Sequence, residues 1–584
     1  MFKLLKNLRS KDVVALIVAL GFIVIQVWLD LTIPDYMSEV TKLVQTEGSS
    51  MHEIIIAGVK MLACALGSLV AAVIVAILAS KAGTSFSAHV RERVFNQVQS
   101  FSLEEMADFS TSSLITRTTN DITQIQNFVV MGFQVLVKAP IMAVWAIIKI
   151  VDKSWQWSIA TGVAVGILAV IVIICICIAV PKYNQIQKLT DNLNRVTREN
   201  LTGIKVVRAY NAENYQEEKF EKCNKDVTDA NTVANRALAF MTPAIQATMN
   251  GLTLAIYWIG AGLISAALIA ERLNLFSNMV VFTSYAIQVV MAFMMLVMAF
   301  IMLPRAFVSA KRINEVLDTK ISIKDGAGVT NDSGKGEIEF NDVSFAYPDA
   351  KDCIVKNISF TAKPGEIVAF IGATGCGKST IINLIPRFFD ISKSEIKIDG
   401  VNIQDYKLNE LRNKIGYVSQ KTVLFKGTIR SNVALGDNGH KEELNSHVEE
   451  AVKISQASEF VTKLEGGYDG YVAQTGSNLS GGQKQRVSIA RAICRKPEIF
   501  IFDDSFSALD YKTDRQVRDN IKQQCQGVTT LIVAQRIGTI READQIIVLE
   551  NGQIVGKGKH QDLMKTCEVY QQIALSQLSK EELA

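Results

Sequence analysis

The chain has 584 residues and a net charge of +4, with 49% apolar and 20% charged residues. Such a length exceeds what one core requires, so more than one domain is expected, and the near-balanced charge gives a nucleic-acid partner no support. Nine cysteines without paired metal-ligand spacing argue for reduced, space-filling thiols rather than a disulfide framework; Cys175 and Cys177 even lie within an apolar run.

In chain order, residues 1–12 (MFKLLKNLRSKD) are basic and amphipathic, and no small-residue cleavage site precedes the next segment. They read as an interfacial helix on the cytoplasmic face rather than a removable signal. Roughly 20 consecutive apolar residues cross a bilayer as a helix. Six candidates meet that length, near 13–33, 54–79, 128–150, 155–180, 240–270 and 279–303. Lys3, Lys6, Arg9 and Lys11 precede the first span, whereas Asp35, Glu39, Glu47 and Glu53 follow it against a single Lys42. The positive-inside rule therefore assigns both termini to the cytoplasm.

The connections after the first, third and fifth spans are short. Residues 81–127 and 182–239 are long, polar and helix-forming, so the spans should continue as stalks reaching ~30 Å beyond the membrane. Lys138, beside Gln134 and before Pro140, faces the bundle interior or water, or else snorkels to an interface, because a midplane charge costs ~3 kcal/mol or more. Met291, Met294, Met295, Met298 and Met302 recur at helical spacing in the sixth span. Such a stripe serves helix packing or an adaptable ligand surface, with Gln246, Asn250 and Gln288 as further polar contacts.

Charge and glycine rise after about Pro304, which sets a transmembrane domain at 1–320 and a soluble α/β domain at 321–584. Within the latter, IGATGCGKST (371–380) follows the strand-like EIVAF and precedes the helix-like IINLIPRFF. This is the phosphate-binding loop in its confirming context. Gly372, Ala373, Thr374, Gly375, Cys376 and Gly377 curl main-chain N–H groups round a β-phosphate, Lys378 reaches the β/γ oxygens, and Ser379, followed by Thr380, holds Mg²⁺. Cys376 reads as a tolerated small residue. About 120 residues on, the apolar IFIF ends at Asp503, a carboxylate suited to Mg²⁺.

LSGGQ (479–483) then opens the amphipathic KQRVSIARAI. Ser480, Gly481, Gly482 and Gln483 stand at a helix N-terminus, a ready anion site. Because the chain already has a complete phosphate loop, this second site makes sense for an ATP held by another subunit, two such domains enclosing two nucleotides head to tail.

These motifs, with six spans upstream, resemble an ABC transporter half-unit of the bacterial exporter type, a six-span α-helical transmembrane domain followed by an α/β P-loop nucleotide-binding domain. The resemblance covers essentially the whole chain. It implies that Tyr347 in FAYPD stacks on adenine, that Gln420 in YVSQ senses Mg²⁺, and that Ser507–Asp510 (SALD) crosses to the partner. It also implies that 112–121 (SSLITRTTND) and 199–213 (ENLTGIKVVRAYNAE) are the two coupling loops.

Three departures qualify it. The family usually follows the Mg²⁺ aspartate with a water-polarising glutamate, but this chain has Asp504. Where a histidine usually meets the γ-phosphate, LIVAQRI has Gln535. Gln474 in VAQTG replaces a frequent glutamate at the partner's coupling helix. Asp504 is one methylene short, and a misplacement of about 1 Å can lower a rate around a hundredfold. A neutral amide lacks the imidazole's charge and proton shuttle.

The chain therefore resembles the degenerate-site half of a heterodimeric multidrug exporter, binding MgATP and turning it over slowly. The implied setting is a bacterial plasma membrane, with a second half-transporter supplying the consensus Glu and His and an amphipathic, hydrophobic compound such as a drug as cargo. A lipid or peptide exporter, an ATP-binding regulator, and a homodimer with two slow sites are the alternatives.

Overall fold

The computed structural model describes residues 2–577 except 47–48, 152, 330–334, 349, 351 and 437–443, so Glu47 and the Asp349 of FAYPD lie outside the described residues. The chain divides into two compact units, Met1–Val98 with Ser112–Asp318 and Gln99–Thr111 with Thr319–Ala584.

The first unit contains six helices long and apolar enough to span a membrane: Ser10–Gln45, Met51–Gln99, Thr111–Val151, Trp155–Thr202, Glu213–Ala266 and Glu271–Asp318. The second has 49 residues, about 74 Å of helix at 1.5 Å per residue, against a hydrocarbon layer of about 30 Å. The polar stretches thus continue the spans as helical stalks, as their composition predicts. The N-terminal dozen is not one helix. Phe2–Leu5 forms a short helix whose Lys3 pairs with Asp318 at 2.6 Å, and Ser10 already begins the first span.

Two stalk connections bend where local chemistry dictates. After Gln99 the chain re-enters a short helix, Leu103–Asp108, under a capping box: Ser102 accepts from the N–H of Glu104, and Glu105 from that of Ser102. After Thr202 a break at Gly203 precedes the short helix Ile204–Ala209. The third span is itself interrupted, by a π-turn at Phe128–Gly132.

The core of this unit gathers Ile23, Val27, Leu31, Trp157 and Phe282, with the rings of Trp157 and Phe282 5.3 Å apart. Lys138 faces inward, its Nζ 3.2 Å from Asp30 Oδ2, a partner the sequence reading did not name. Ser68 also donates to Asp30, and Gln288 donates to the Asp30 carbonyl at 3.3 Å. Nearer the chain's first turn-around, Lys149 meets Asp35 at 2.7 Å, and the Tyr285 hydroxyl donates to the same carboxylate at 2.6 Å. Within the methionine stripe, Met291 and Met298 are exposed on this chain and Met294, Met295 and Met302 are half-buried. Cys175 is buried, as a space-filling thiol should be, but Cys177 is exposed.

The second unit is built on strands β1 (Ile338–Phe345), β2 (Val355–Ala362), β3 (Ile367–Gly372), β4 (Lys393–Ile398), β5 (Val401–Asn402), β6 (Ile415–Val418), β7 (Gly427–Thr428), β8 (Tyr471–Val472), β9 (Ile499–Asp503), β10 (Thr529–Val533), β11 (Gln545–Glu550) and β12 (Gln553–Gly558). Strands β2-β1-β4-β5 form an antiparallel sheet. The larger sheet runs β12-β11-β3-β10-β9-β6, parallel except for the β12 edge. Strands β9 and β10 are buried along their whole length, which is why IFIF and TLIV read as unbroken apolar runs. The register pairs Val533 with both Asp503 and Phe370, so the carboxyl ends of β9 and β10 finish level with each other and that of β3 runs two residues past them to Gly372. In such sheets ligands bind just beyond those ends.

The helix Leu103–Asp108 belongs to this second unit. Glu105, only 4% exposed, accepts from the main-chain N–H of Ser102 at 2.6 Å and of Ser322 at 2.8 Å. Burial pushes its carboxyl up, yet the hydrogen bonds from Ser102 and Ser322 outweigh burial and hold it below the ordinary glutamate range.

Candidate functional site

Strand β3 ends at Gly372, where a Cβ would meet the Leu549 carbonyl oxygen at 2.2 Å and Cys376 Sγ at 2.8 Å. Only glycine fits there. Gly377, at φ +96°, turns the loop into the helix Lys378–Leu384. Inside that turn Lys378 is 9% exposed, its Nζ donating to the carbonyls of Gly372 and Ala373 at 2.8 Å each, with Cys376 Sγ at 3.7 Å. The ammonium is thus held against the loop's own carbonyls rather than extended outward. Cys376 is buried beneath the loop.

An open cleft of about 310 Å³ lies over this loop, lined by Thr374, Gly375, Gly377, Lys378, Ser379, Thr380, Gln420, Asp503, Asp504 and Gln535 together with Ile354 and Val533. Segments more than 150 residues apart in sequence, 374–380 and 535, therefore meet in one place. The Ser379 hydroxyl donates to Asp503 Oδ1 at 2.8 Å. Two hard oxygen donors converge, the set that Mg²⁺ prefers, so these residues fit that ion.

Burial holds Asp503 above the ordinary aspartate range. The neighbouring Asp504 charge adds to this, whereas Ser379 and Lys378 oppose it. A cation at these oxygens would relieve that strain on the carboxylate.

Asp504 follows immediately, turning at φ +49° with its N–H on the Val533 carbonyl at 2.9 Å. Its Oδ2 accepts from Gln420 Nε2 at 3.3 Å and from Gln535 Nε2 at 3.0 Å. Two of the three positions that depart from the family pattern, Asp504 and Gln535, thus touch each other. Burial also raises Asp504, against the opposing Gln420 hydrogen bond and the Arg536 and Lys378 charges.

Tyr347 and Ser480–Gln483 do not line this cleft. Tyr347 packs edge-on to Phe345 and Phe389, ring centres 5.0 and 5.1 Å away, and its hydroxyl meets Thr380 Oγ1 at 3.2 Å. Ser480 caps the helix Gly481–Cys494, its Oγ accepting from the Gln483 N–H at 3.3 Å while Gln483 Oε1 accepts from the Ser480 N–H at 2.9 Å. A Cβ on Gly481 would meet nothing within 4 Å, so that helix end faces open space. Ser507 donates to the Asp504 carbonyl at 2.8 Å, and Asp510 caps the helix Tyr511–Gln524. Gln474 is exposed in a short turn whose next residue, Thr475, has φ +57°.

Sequence reasoning missed three contacts. Thr422 donates to Gln485 at 2.5 Å, tying the Gln420 segment to the LSGGQ helix. Arg536 donates to the Ser507 carbonyl at 3.2 Å. Gln577 grips the main chain around Gln535. Each joins segments far apart in sequence, so only the fold could reveal the pairing.

Comparison with known proteins agrees with this geometry. Residues 13–293 match the family described as ABC transporter transmembrane region, and residues 355–507 the family described as ABC transporter. An uncharacterized ABC transporter ATP-binding protein of Mycobacterium bovis is 36% identical over 516 residues, 88% of this chain and 86% of that protein. An ATP-dependent lipid A-core flippase of Syntrophus aciditrophicus is 31% identical over 495 residues, covering 84% of this chain and 80% of its own. The fold is that of a bacterial Atm1-family ABC exporter solved with ATP bound, at a TM-score of 0.80 and 24% identity over 97% of this chain and 98% of that one. The chain belongs to the ABC transporter family. It is an exporter half-transporter, a multi-pass membrane protein with a cytoplasmic domain that binds ATP.

Proposed function

We propose that this chain is the degenerate-site half of an asymmetric exporter in a bacterial plasma membrane, moving amphipathic, hydrophobic compounds such as drugs outward. MgATP sits in the cleft over 374–380, with Lys378 on its β/γ oxygens, Ser379, Asp503 and Gln420 toward Mg²⁺, and Tyr347 against the adenine. An ion held by Ser379 and Asp503 would supply neutralisation of the phosphate charge. Ser480–Gln483 serve the nucleotide of a second half-transporter, which brings the consensus Glu and His.

The observation that carries this reading is the Gln420–Asp504–Gln535 arrangement. The carboxylate beside Asp503 is short, and one oxygen already accepts two amide hydrogens at 3.3 and 3.0 Å. With that oxygen already engaged and the side chain one methylene shorter than a glutamate, it is poorly placed to act as the base for an attacking water. The groups suited to holding MgATP are all retained.

ATP turnover by the full-length chain alone in lipid, beside the same chain co-expressed with a half-transporter carrying Glu and His, tests the proposal. A nearly silent chain and a drug-stimulated pair are expected. Turnover by the chain alone on the order of 1 s⁻¹ or faster would remove the need for a partner. A second reading keeps the machine and exchanges the cargo for a lipid, favoured by the relative described as a lipid A-core flippase. Transport of labelled lipids against a drug panel separates the two.

A further inference from the structure

The last described helix, Glu568–Gln577, is anchored by Tyr570 and Ala574, both buried in the core that also holds Ile537 and Ile540. Gln577 follows Ala574 by three residues and so leaves the same face. Its amide makes two bonds to one loop. Nε2 donates to the Gln535 carbonyl at 2.7 Å, and Oε1 accepts from the Ile537 N–H at 2.8 Å.

One amide joined to the carbonyl of one residue and the N–H of the residue two further on reproduces a rung of a parallel ladder. Ile537 is also the first residue of the helix Ile537–Ile540, and its preceding Arg536 provides no side-chain cap. Its N–H is one of the donors that a helix start leaves without an internal partner. Gln577 supplies the acceptor from 40 residues away.

The clasped loop carries two outward contacts. The Gln535 side chain donates to Asp504 at 3.0 Å, and the Arg536 guanidinium donates to the Ser507 carbonyl at 3.2 Å. Fixing the main chain on both sides of Arg536 limits how far the Gln535 side chain can swing.

We propose that Gln577 is a positioning residue for the cleft: by clasping residues 535–537 it holds Gln535 toward the terminal phosphate, so that the C-terminal helix sets the preference of this site for MgATP over MgADP. This rests on the reading above that the γ-phosphate of a nucleotide in this cleft meets Gln535. A clasp that only docked the helix would leave that preference untouched.

Equilibrium binding of radiolabelled MgATP and MgADP to the full-length chain in lipid nanodiscs tests it. Gln535→Ala should weaken MgATP by roughly tenfold to a hundredfold, the size of one hydrogen bond to a charged group, and leave MgADP unchanged. Gln577→Ala should show the same ATP-selective loss. The double variant should be no worse than Gln535→Ala, because both act through one contact. Gln577→Glu keeps the acceptor for Ile537 but sets a carboxylate against the Gln535 carbonyl. It should reproduce the ATP-selective loss at an unchanged melting temperature, and it decides the matter should the alanine variant unfold. Equal losses for both nucleotides, no loss in either Gln577 variant, or additive effects in the double variant overturn the proposal. If Gln535→Ala itself leaves the ATP-to-ADP ratio at the wild-type value, the placement of the γ-phosphate falls, and the clasp's role with it.

Discussion

Lengthening Asp504 is the most direct test of why this site should be slow. Asp504→Glu adds one methylene, shifting the carboxylate by roughly 1.5 Å, the length of one C–C bond. Its present carboxylate is held by Gln420 at 3.3 Å and Gln535 at 3.0 Å, both on Oδ2. A displacement of about 1 Å in a reacting group is worth around a hundredfold in rate, or about 2.7 kcal/mol of barrier at 1.36 kcal/mol per decade. Asp504→Glu should therefore raise turnover by up to about a hundredfold. Asp504→Glu with Gln535→His should exceed it, since the imidazole replaces a neutral amide that can neither carry charge nor shuttle a proton. In Asp504→Glu alone, MgATP affinity should change by less than about threefold, because the loop at 372–380 and Gln535 are untouched. The assay is phosphate release at saturating MgATP by the full-length chain in lipid, with Lys378→Ala as the blank. A double variant whose turnover stays within a factor of two of wild type would refute the assignment of slowness to these positions.

Other outcomes follow from particular contacts. Burial keeps the Asp503 carboxyl above its ordinary range, so the folded chain holds that proton to higher pH than the unfolded chain. This group therefore lowers stability as pH rises from the ordinary aspartate value, about 3.9, through the raised one. Asp503→Asn removes that loss: in EDTA its melting temperature should exceed wild type at pH 7, by roughly 2–4 °C per kcal/mol relieved, and converge with it in acid. A pH-independent offset would speak against the burial argument. Asp30→Asn leaves Lys138 unpaired within the spans and should destabilise by about 3–5 kcal/mol, while Asp30→Leu with Lys138→Met recovers most of it. Thermal unfolding in detergent reads both, and a neutral single variant would show that the pair contributes nothing. Cys376 is 7% exposed, so a maleimide should modify half-buried Cys353 first even without nucleotide. Fast labelling of Cys376 would contradict its burial.

Much of this was legible because it is local. The phosphate loop, the LSGGQ helix start and the six apolar runs are each set by residues adjacent in sequence, and the structure forms all of them. The nearness of Asp503 to Ser379 followed from the motifs alone. What escaped sequence reasoning is long-range pairing. Lys138 could be judged costly in a span, but its partner Asp30 lies 108 residues earlier, and nothing in either helix's pattern marks the other. The inward position of the Lys378 ammonium and the burial of Cys376 arise from how tightly the loop curls, which composition does not encode. The resemblance implied an adenine-stacking role for Tyr347, yet its hydroxyl contact with Thr380 depends on how the chain after β1 and the helix Lys378–Leu384 pack. Gln577 was invisible for a simpler reason: a glutamine at a helix end carries no signal until the fold supplies the loop it meets.

The contact of Glu105 with Ser322 has a consequence for synthesis. The two residues are 217 positions apart, and at roughly 5–20 residues per second the ribosome needs about 11–43 s to travel from one to the other. Throughout that interval residues 103–108 have been made while the N–H that completes the hydrogen bonding of Glu105 has not. Four further spans must be inserted in the meantime. The first cytoplasmic turn of a nascent chain therefore waits in an unfinished state, and a ribosome stalled before codon 322 would leave a glutamate destined for burial with only Ser102 to satisfy it.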